Sequence, residues 1–338
     1  MKYGTGYLRE TYEQTYAEAS LADRYGYDLF GVADSQALGH ELHTTLGALA
    51  RETESVAIGS TITNAITRHP VVTASAMATV NHLSGGRAFM GFGSGDSAVY
   101  TLGERPATLG ELETTIRHIK TLWRGETIEL DGKPVELQWI DPDDPPDIPV
   151  LLAAEGPKTL ELAGRVADGA IMGLGITPEV REASLAAVRR GARAAGRDPS
   201  EIETWLFLEG NIDDDGEHAV DQILQSLAGA AHHSLQFTFE GKAVPEEHRD
   251  ALWELVDRYD SDAHQSGEGS NVALVEELGL REYLTRRYAI AGTRDHCRDR
   301  LEELQTAGDV DGLLFAEHSD TEPSFLEWFG EEFLHEDV

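Results

Sequence analysis

Short apolar runs alternate along the chain with longer stretches in which apolar residues recur at helical spacing. The short runs predict strands and the longer stretches predict helices, because a strand buried on both faces is continuously apolar and a surface helix carries one apolar stripe. The predicted strands cover residues 2–7, 28–33, 55–62, 87–92, 150–153, 169–172, 204–208 and 312–315. Gly26 after the first helix and Pro70 at the start of a later one agree with this division.

Eight strands that alternate with helices predict parallel strands joined by crossover helices. A closed (β/α)8 barrel (a TIM barrel) fits this count and the length of 338 residues better than an open sheet. Two segments interrupt the alternation: 125–149 is Pro-rich and acidic and is predicted to be a surface insertion, and 216–283 is predicted to be a mostly helical insertion after strand seven. We therefore predict a single barrel over residues 1–338.

In such barrels the chemistry lies at the carboxyl ends of the strands. The segment "HLSGGRAFMGFGSGD" (82–96) carries glycines at 91, 93 and 95, where bare backbone suits either a positive φ or the close approach of a ligand. Asp96, which follows them, is a candidate general acid or base, with a helix cap as the structural alternative. The other candidates at strand ends are Asp34, Ser35, Thr61 to Asn64, Ala154 to Lys158, Gly173 to Gly175, Glu209, Glu317 and His318.

The segment "AAEGPKT" (153–159) leads from a strand end into a helix start. Free backbone N–H groups around Gly156, together with the helix dipole, would hold a phosphate or a carboxylate there. An ordinary turn with Pro157 in the first helical position explains the same residues. The segment alone does not choose between these two interpretations.

Charge and motifs narrow the choice of partners. Asp and Glu number 61 against 27 Lys and Arg, a net charge of −34, so nucleic acids and anionic membranes are not expected as partners. Because the acids alternate with apolar residues at helical spacing, we interpret the chain as a folded protein of a high-salt cytoplasm, where ions screen the carboxylates.

The single cysteine, Cys297, excludes an internal disulfide. His232 and His233 lack metal-ligand spacing and are predicted to face solvent, so no metal site is expected. Hydrolase and ATPase motifs (GxSxG, HExxH, the P-loop) are absent from the sequence, which leaves those activities little support.

Four segments, taken in order, resemble the luciferase-like (β/α)8 flavin and deazaflavin oxidoreductases: "LADRYGYDLFGVADS", "IGSTITNAITRHPVVTASAMATVNHLSGGRAFMGFGSGD", "VLLAAEGPKTLELAGRVADGAIMG" and "YAIAGTRD". Within that superfamily the sequence is most similar to the coenzyme F420-dependent branch, especially the methylenetetrahydromethanopterin reductases. The resemblance implies hydride transfer between F420 and a small organic substrate, with a methylene-tetrahydropterin or folate as the first candidate. It also implies a homo-oligomer, either a dimer or a tetramer.

The resemblance also implies roles for matching residues. Asp34 corresponds to an acid beside the deazaflavin ring, and Thr61–Ile62 to a non-prolyl cis peptide that forms a bulge behind the ring. Glu155 and Gly156 correspond to the backbone that grips the cofactor's phosphate. The implied cofactor-binding residues are Asp34, Ser35, Thr61, Ile62, Asn64, Gly95, Glu155, Gly156 and Pro157, and the candidate catalytic residues are Asp96 and Asp34.

Two positions depart from the family pattern. Ser35 stands where many relatives have histidine, and Gly6 stands where the methanopterin reductases carry a glutamate in strand one. That glutamate would supply a proton during hydride transfer, so its absence leaves the substrate open. The groups that would replace it are Asp96, Glu209, Glu317 or His318. Two other functions stay open at this point, namely an FMN-dependent monooxygenase on the same scaffold and a non-catalytic flavin-binding protein.

Overall fold

The computed structural model describes residues 1–7, 9, 11–260, 269–317 and 324–334. The strands are β1 (Lys2–Tyr7), β2 (Leu29–Val32), β3 (Ala57–Asn64), β4 (Ala88–Gly93), β5 (Ile128–Leu130), β6 (Lys133–Val135), β7 (Val150–Ala154), β8 (Gly169–Met172), β9 (Glu203–Ile212), β10 (Ala289–Gly292) and β11 (Gly312–Glu317). The helices are α1 (Tyr12–Tyr25), α2 (Leu42–Glu52), α3 (Pro70–Ser84), α4 (Ser97–Tyr100), α5 (Leu109–Trp123), α6 (Pro157–Val166), α7 (Pro178–Ala194), α8 (Gly216–Leu235), α9 (Arg249–Arg258), α10 (Ser270–Glu277), α11 (Arg281–Tyr288), α12 (Arg294–Ala307) and α13 (Phe325–Phe329).

Eight parallel strands close into a barrel. β9 pairs with both β8 and β11, and the ring runs β9-β11-β1-β2-β3-β4-β7-β8. The predicted (β/α)8 architecture is confirmed, and its eight strands are the eight that the apolar runs predict. The largest difference in length is at β9, which continues to Ile212 because its last residues pair with β10.

The apolar pattern does not reveal three short strands. β5 and β6 form a hairpin within the segment 125–149, and its turn residues Asp131 and Gly132 both have positive φ, at 50° and 75°. An Asp-Gly pair is a strong hairpin signal, so this turn was readable from the sequence. β10 is four residues of small and apolar type, too short for periodicity to distinguish it from the end of a helix.

The strands and helices pack around three apolar cores. One lies between the barrel strands and the surrounding helices, and a second fills the barrel with side chains that include Phe89, Leu151 and Trp205. The third lies within α8 to α11 and β10 and includes Leu227 and Leu252, both fully buried. The described part of 216–283 therefore packs around a core of its own, and the division of the chain into one barrel with two insertions stays a prediction.

None of the helices in the described ranges is both long enough and apolar enough to cross a membrane.

Candidate functional site

The carboxylate of Asp34, just after β2, has partners on both oxygens. Thr63 Oγ1 donates to Oδ2 at 2.7 Å, and Arg68 donates to both oxygens, with 3.1 Å between Nη2 and Oδ1. The Asp34 side chain is only 1% exposed. The same guanidinium reaches Glu41 at 2.9 Å and so joins the ends of β2 and β3 to α2. A buried carboxylate held in this way positions the rim of the barrel, and the geometry does not support the catalytic role predicted for Asp34.

Ser35 and Asn64 also have partners within the protein. The hydroxyl groups of Ser35 and Ser97 share a hydrogen bond of 2.9 Å, which joins the loop after β2 to α4. Asn64 Oδ1 accepts hydrogen bonds from the backbone N–H groups of Ile66 and Thr67, each at 2.9 Å. These contacts fix the loops around the mouth of the barrel, and the cofactor contacts of Ser35 and Asn64 stay predictions.

The peptide bond between Thr61 and Ile62 is cis. At the same place β3 shifts its register against β4, between Ser60 and Thr63. Both features agree with the bulge that the family resemblance implies. Ile62 is half-buried and packs against the apolar core inside the barrel.

The glycines at 91, 93 and 95 pack against neighbouring protein atoms, and Gly95 also has the positive φ that is one of the two predicted reasons. A Cβ at Gly93 would lie 2.4 Å from Ile62 Cδ1, and a Cβ at Gly91 would lie 2.1 Å from the Ser60 carbonyl oxygen. Gly95 has φ of +98°, and its Cβ would lie 2.3 Å from Val99 Cγ2. The missing side chains at Gly91 and Gly93 make room for the bulge of β3, and the one at Gly95 makes room for Val99; the cofactor contact of Gly95 stays a prediction.

Asp96 lies where the chain enters α4, with its side chain 56% exposed at the mouth. It accepts no capping hydrogen bond from a backbone N–H group in the described ranges, which removes the main support for the helix-cap alternative. Its Oδ2 lies 3.8 Å from His233 Nε2. Desolvation and then the negative charge of Asp96 raise the pKa of Tyr259 to about 12. Asp96 is thus an accessible carboxylate at the mouth of the barrel.

The Glu155 side chain faces the same mouth. It follows β7, whose residues Leu151 and Ala153 face the barrel interior. Since side chains alternate along a strand, Glu155 stands on the inner face, one step further out than Ala153. A Cβ at Gly173, after β8, would lie 3.0 Å from Glu155 Cγ, so the glycine leaves space for this side chain.

Glu155 is exposed to solvent at the mouth of the barrel, although nearby protein atoms partly desolvate its carboxyl group. This desolvation raises the pKa of Glu155; the positive charges of His233 and Lys242 oppose the rise, and the carboxylate of Asp96 adds to it. Lys242 is itself buried, donates to the Ser234 carbonyl oxygen at 2.6 Å, and has a pKa lowered by desolvation.

The prediction that the adjacent histidines face solvent is wrong. His232 stacks on Tyr259 with 4.3 Å between ring centroids, and His233 is only 32% exposed beside Asp96. The helical insertion carries these side chains and Lys242 to the mouth. Sequence reasoning missed them because they lie far from Asp96 along the chain and belong to no motif with a fixed spacing.

The start of α6 is open on its outer side. Gly156 precedes Pro157 with extended backbone (φ −157°), and a Cβ on it would meet no described atom within 4 Å. The first N–H groups of a helix lack partners within the helix, and the helix dipole favours negative charge there. The open turn leaves room for a phosphate group, and the anion-site interpretation of this segment stays a prediction beside that of an ordinary turn.

The packing of β1 against β2 leaves no room for a side chain at Gly6. A Cβ there would lie 2.2 Å from the Gly31 carbonyl oxygen on β2. A glutamate at this position of strand one therefore requires the backbone of β1 or β2 to shift.

The structure says less about the remaining candidate site residues, Glu209, Glu317 and His318. Glu209 on β9 is 5% exposed and accepts a hydrogen bond from Ser226 Oγ at 2.8 Å. Glu317 ends β11, but its side chain and all of His318 lie outside the described residues. Within the ranges that the structure describes, no three His, Cys, Asp or Glu side chains gather as a metal site.

These features describe a TIM-barrel protein whose candidate site lies at the carboxyl ends of its strands, beside the bulge of β3, the open start of α6 and two exposed carboxylates, Asp96 and Glu155. A model of the luciferase-like monooxygenase family matches residues 2–311. The chain belongs to this family.

Two relatives and one solved structure are similar to this chain. The 5,10-methylenetetrahydromethanopterin reductase of Methanolobus tindarius is 28% identical over 295 residues, which covers 86% of each chain. An F420-dependent glucose-6-phosphate dehydrogenase of Beutenbergia cavernae is 34% identical over 219 residues, 59% of this chain and 63% of the relative. The F420-dependent tetrahydromethanopterin reductase of Methanopyrus kandleri has the same fold, with a TM-score of 0.78 at 24% identity over 98% of this chain and 97% of the other.

Proposed function

We propose that this protein is an F420-dependent oxidoreductase that transfers a hydride between the deazaflavin and a small organic substrate. The observation that carries the proposal is the bulge of β3 at Thr61–Ile62 together with the open helix start at Gly156, both at the carboxyl ends of the barrel strands. F420 combines a flat ring with a phosphate. The bulge of β3 suits the ring, and the open start of α6 suits the phosphate. The F420-dependent relatives of both kinds support the same cofactor.

Different residues of the protein serve cofactor binding and acid–base chemistry. F420, when bound, supplies or accepts the hydride. The N–H groups at the start of α6 would hold its phosphate, with Pro157 fixing the first turn of the helix. Thr61 and Ile62 would support its ring. Asp96, which is accessible at the mouth, acts on the substrate as general acid or base.

A substrate with a C=N⁺ or C=C bond, in the first instance a methylene-tetrahydropterin or folate, fits this chemistry. The reductase from Methanolobus tindarius, similar over 86% of its length, supports that choice. Reduction of such a bond needs a hydride at carbon and a proton at the neighbouring atom, and Asp96 takes over the task that a strand-one glutamate would perform. Assembly as a homo-oligomer stays a prediction from the family resemblance.

Gly156→Val tests the phosphate site. The backbone at Gly156 is extended and the space for a side chain is empty, so the variant should fold normally while its branched side chain obstructs the approach of the phosphate. We expect F420 affinity to fall at least about tenfold, which corresponds to about 1.4 kcal/mol. Fluorescence titration with F420 measures this loss.

Lys158→Ala is the companion variant, and its effect should be smaller because backbone N–H groups carry most of the binding. Equal affinity of wild-type protein and the Gly156→Val variant would remove the start of α6 from the cofactor site.

A further inference from the structure

The imidazole ring of His233 and the carboxylate of Asp96 come together at the mouth from two different parts of the fold. His233 lies in the last turn of α8, and Asp96 lies between β4 and α4. His233 Nε2 is 3.8 Å from Asp96 Oδ2, which is within ion-pair distance. The pair therefore places an imidazole beside the carboxylate that the proposed function assigns to acid–base chemistry.

The surroundings of His233 suit a residue that gains and loses a proton. Glu155, after β7, interacts electrostatically with both members of the pair, and the ring of His232 lies 5.7 Å from that of His233. The last turn of a helix leaves carbonyl groups without partners in the helix, and their partial negative charge suits an imidazolium. The His233 side chain is 32% exposed, so water reaches the ring. Histidine is the side chain whose charge ordinarily changes between about pH 5 and pH 8.

A proton donor at the mouth must regain its proton after each turnover. The Asp96 side chain is 56% exposed and has no capping hydrogen bond, so water surrounds much of the carboxylate. A hydrated carboxylate is ionised at neutral pH, whereas a general acid must be protonated at the moment of transfer. An imidazolium within reach of the carboxylate supplies the proton that the transfer requires.

The distance between the two side chains is compatible with this transfer. At 3.8 Å they form an ion pair, and a shift of about 1 Å would bring them to the distance of a charge-assisted hydrogen bond. The exposed Asp96 side chain can make that movement because no capping bond fixes it. Catalytic hydrogen bonds are often long before the substrate binds.

We propose that His233 is a positioning residue that orients Asp96 and returns a proton to it in each turnover. The N–H group of the imidazolium gives its proton to the Asp96 carboxylate, and Asp96 gives a proton to the substrate atom beside the carbon that receives the hydride. The neutral imidazole then takes a proton from water, so the pair ends the turnover as it began. This inference rests on the proposed function, because it requires Asp96 to act on the substrate.

His233→Gln is the first test, because glutamine keeps a polar side chain but cannot carry the proton. We expect kcat to fall at least about tenfold, while KM and F420 affinity change less than about twofold, since His233 acts through Asp96 in the transition state. The assay follows oxidation of reduced F420 with 5,10-methylenetetrahydromethanopterin, beside a fluorescence titration of F420. The control His218→Gln removes a histidine that pairs with Asp213 at 3.0 Å near the start of the same helix, about 22 Å away along its axis.

Chemical rescue separates proton transfer from a purely structural role. His233→Ala leaves space at the open mouth, and added imidazole should raise its turnover at least about threefold by taking the place of the missing ring. The double variant of His233→Ala with Asp96→Asn should not respond, because imidazole would act through the Asp96 carboxylate.

Turnover of His233→Gln within about twofold of the wild type, or no response of His233→Ala to imidazole, would overturn this inference while leaving F420 binding intact. If the wild type does not bind F420, the proposed function itself fails and this inference fails with it. If the wild type binds F420 but leaves the probe substrate unchanged, the NMR signal of the His233 ring decides, identified by its absence from His233→Gln. Displacement of that signal by Asp96→Asn, but not by Asp144→Asn in the surface segment 125–149, supports the pair, and no displacement contradicts it.

Discussion

Replacing Asp96 by asparagine is expected to lower turnover about 10²–10⁴-fold with little change in F420 affinity. The substitution keeps the size of the side chain and removes only its titratable proton. Asp96 makes no capping bond in the described structure and is 56% exposed, so the fold should tolerate the change. A loss confined to turnover identifies an interaction made in the transition state.

The measurement follows oxidation of reduced F420 with 5,10-methylenetetrahydromethanopterin as the probe substrate, beside a fluorescence titration of F420. Asp144→Asn is the matched control, because it removes the same charge from an exposed position in the surface segment 125–149. Near-normal turnover in Asp96→Asn would withdraw Asp96 from catalysis and direct attention to Glu209, Glu317 and His318.

Arg68→Met is expected to lower the free energy of unfolding by about 3 kcal/mol or more, because it leaves the buried carboxylate of Asp34 without its cation. The Asp34 side chain is 1% exposed, and Thr63 would be its only remaining hydrogen-bond donor among the described side chains that now contact it. Since Arg68 joins the ends of β2 and β3 to α2 through Asp34 and Glu41, F420 affinity should fall as well.

Urea unfolding measures the loss of stability. Arg190→Met breaks the exposed pair with Glu161 and should cost less than about 1 kcal/mol. The double variant of Asp34→Asn with Arg68→Met should recover part of the stability, because it no longer buries an unpaired charge. A cost for Arg68→Met no larger than that of the control would show that the Asp34 pair does not hold the rim.

The barrel was predictable because each of its strands is marked by a local pattern in the sequence. Each barrel strand is an apolar run between helices with readable ends, and both the count and the right-handed parallel arrangement follow from that alternation. β10 escaped because four small residues carry no period, and the hairpin at Asp131 and Gly132 was marked only by its turn. The high-salt environment inferred from the charge of −34 stays a prediction.

The site was predictable only in part, because its partners are distant in sequence. The rule that functional residues lie at the carboxyl ends of barrel strands selected Asp96 and Glu155 as candidates, and the family resemblance indicated the bulge at Thr61–Ile62. Neither signal could show that His233 approaches Asp96 or that Arg68 occupies the carboxylate of Asp34, because side-chain pairs between distant elements form only in the folded chain.

The most direct test of the central claim compares the cofactors themselves. Wild-type protein is titrated separately with F420 and with FMN, and binding is followed by the fluorescence of each. The proposed function requires saturable binding of F420 at least about tenfold tighter than that of FMN, a difference of about 1.4 kcal/mol. Tighter binding of FMN, or no response to F420, would contradict it and favour a flavin-dependent monooxygenase on this barrel.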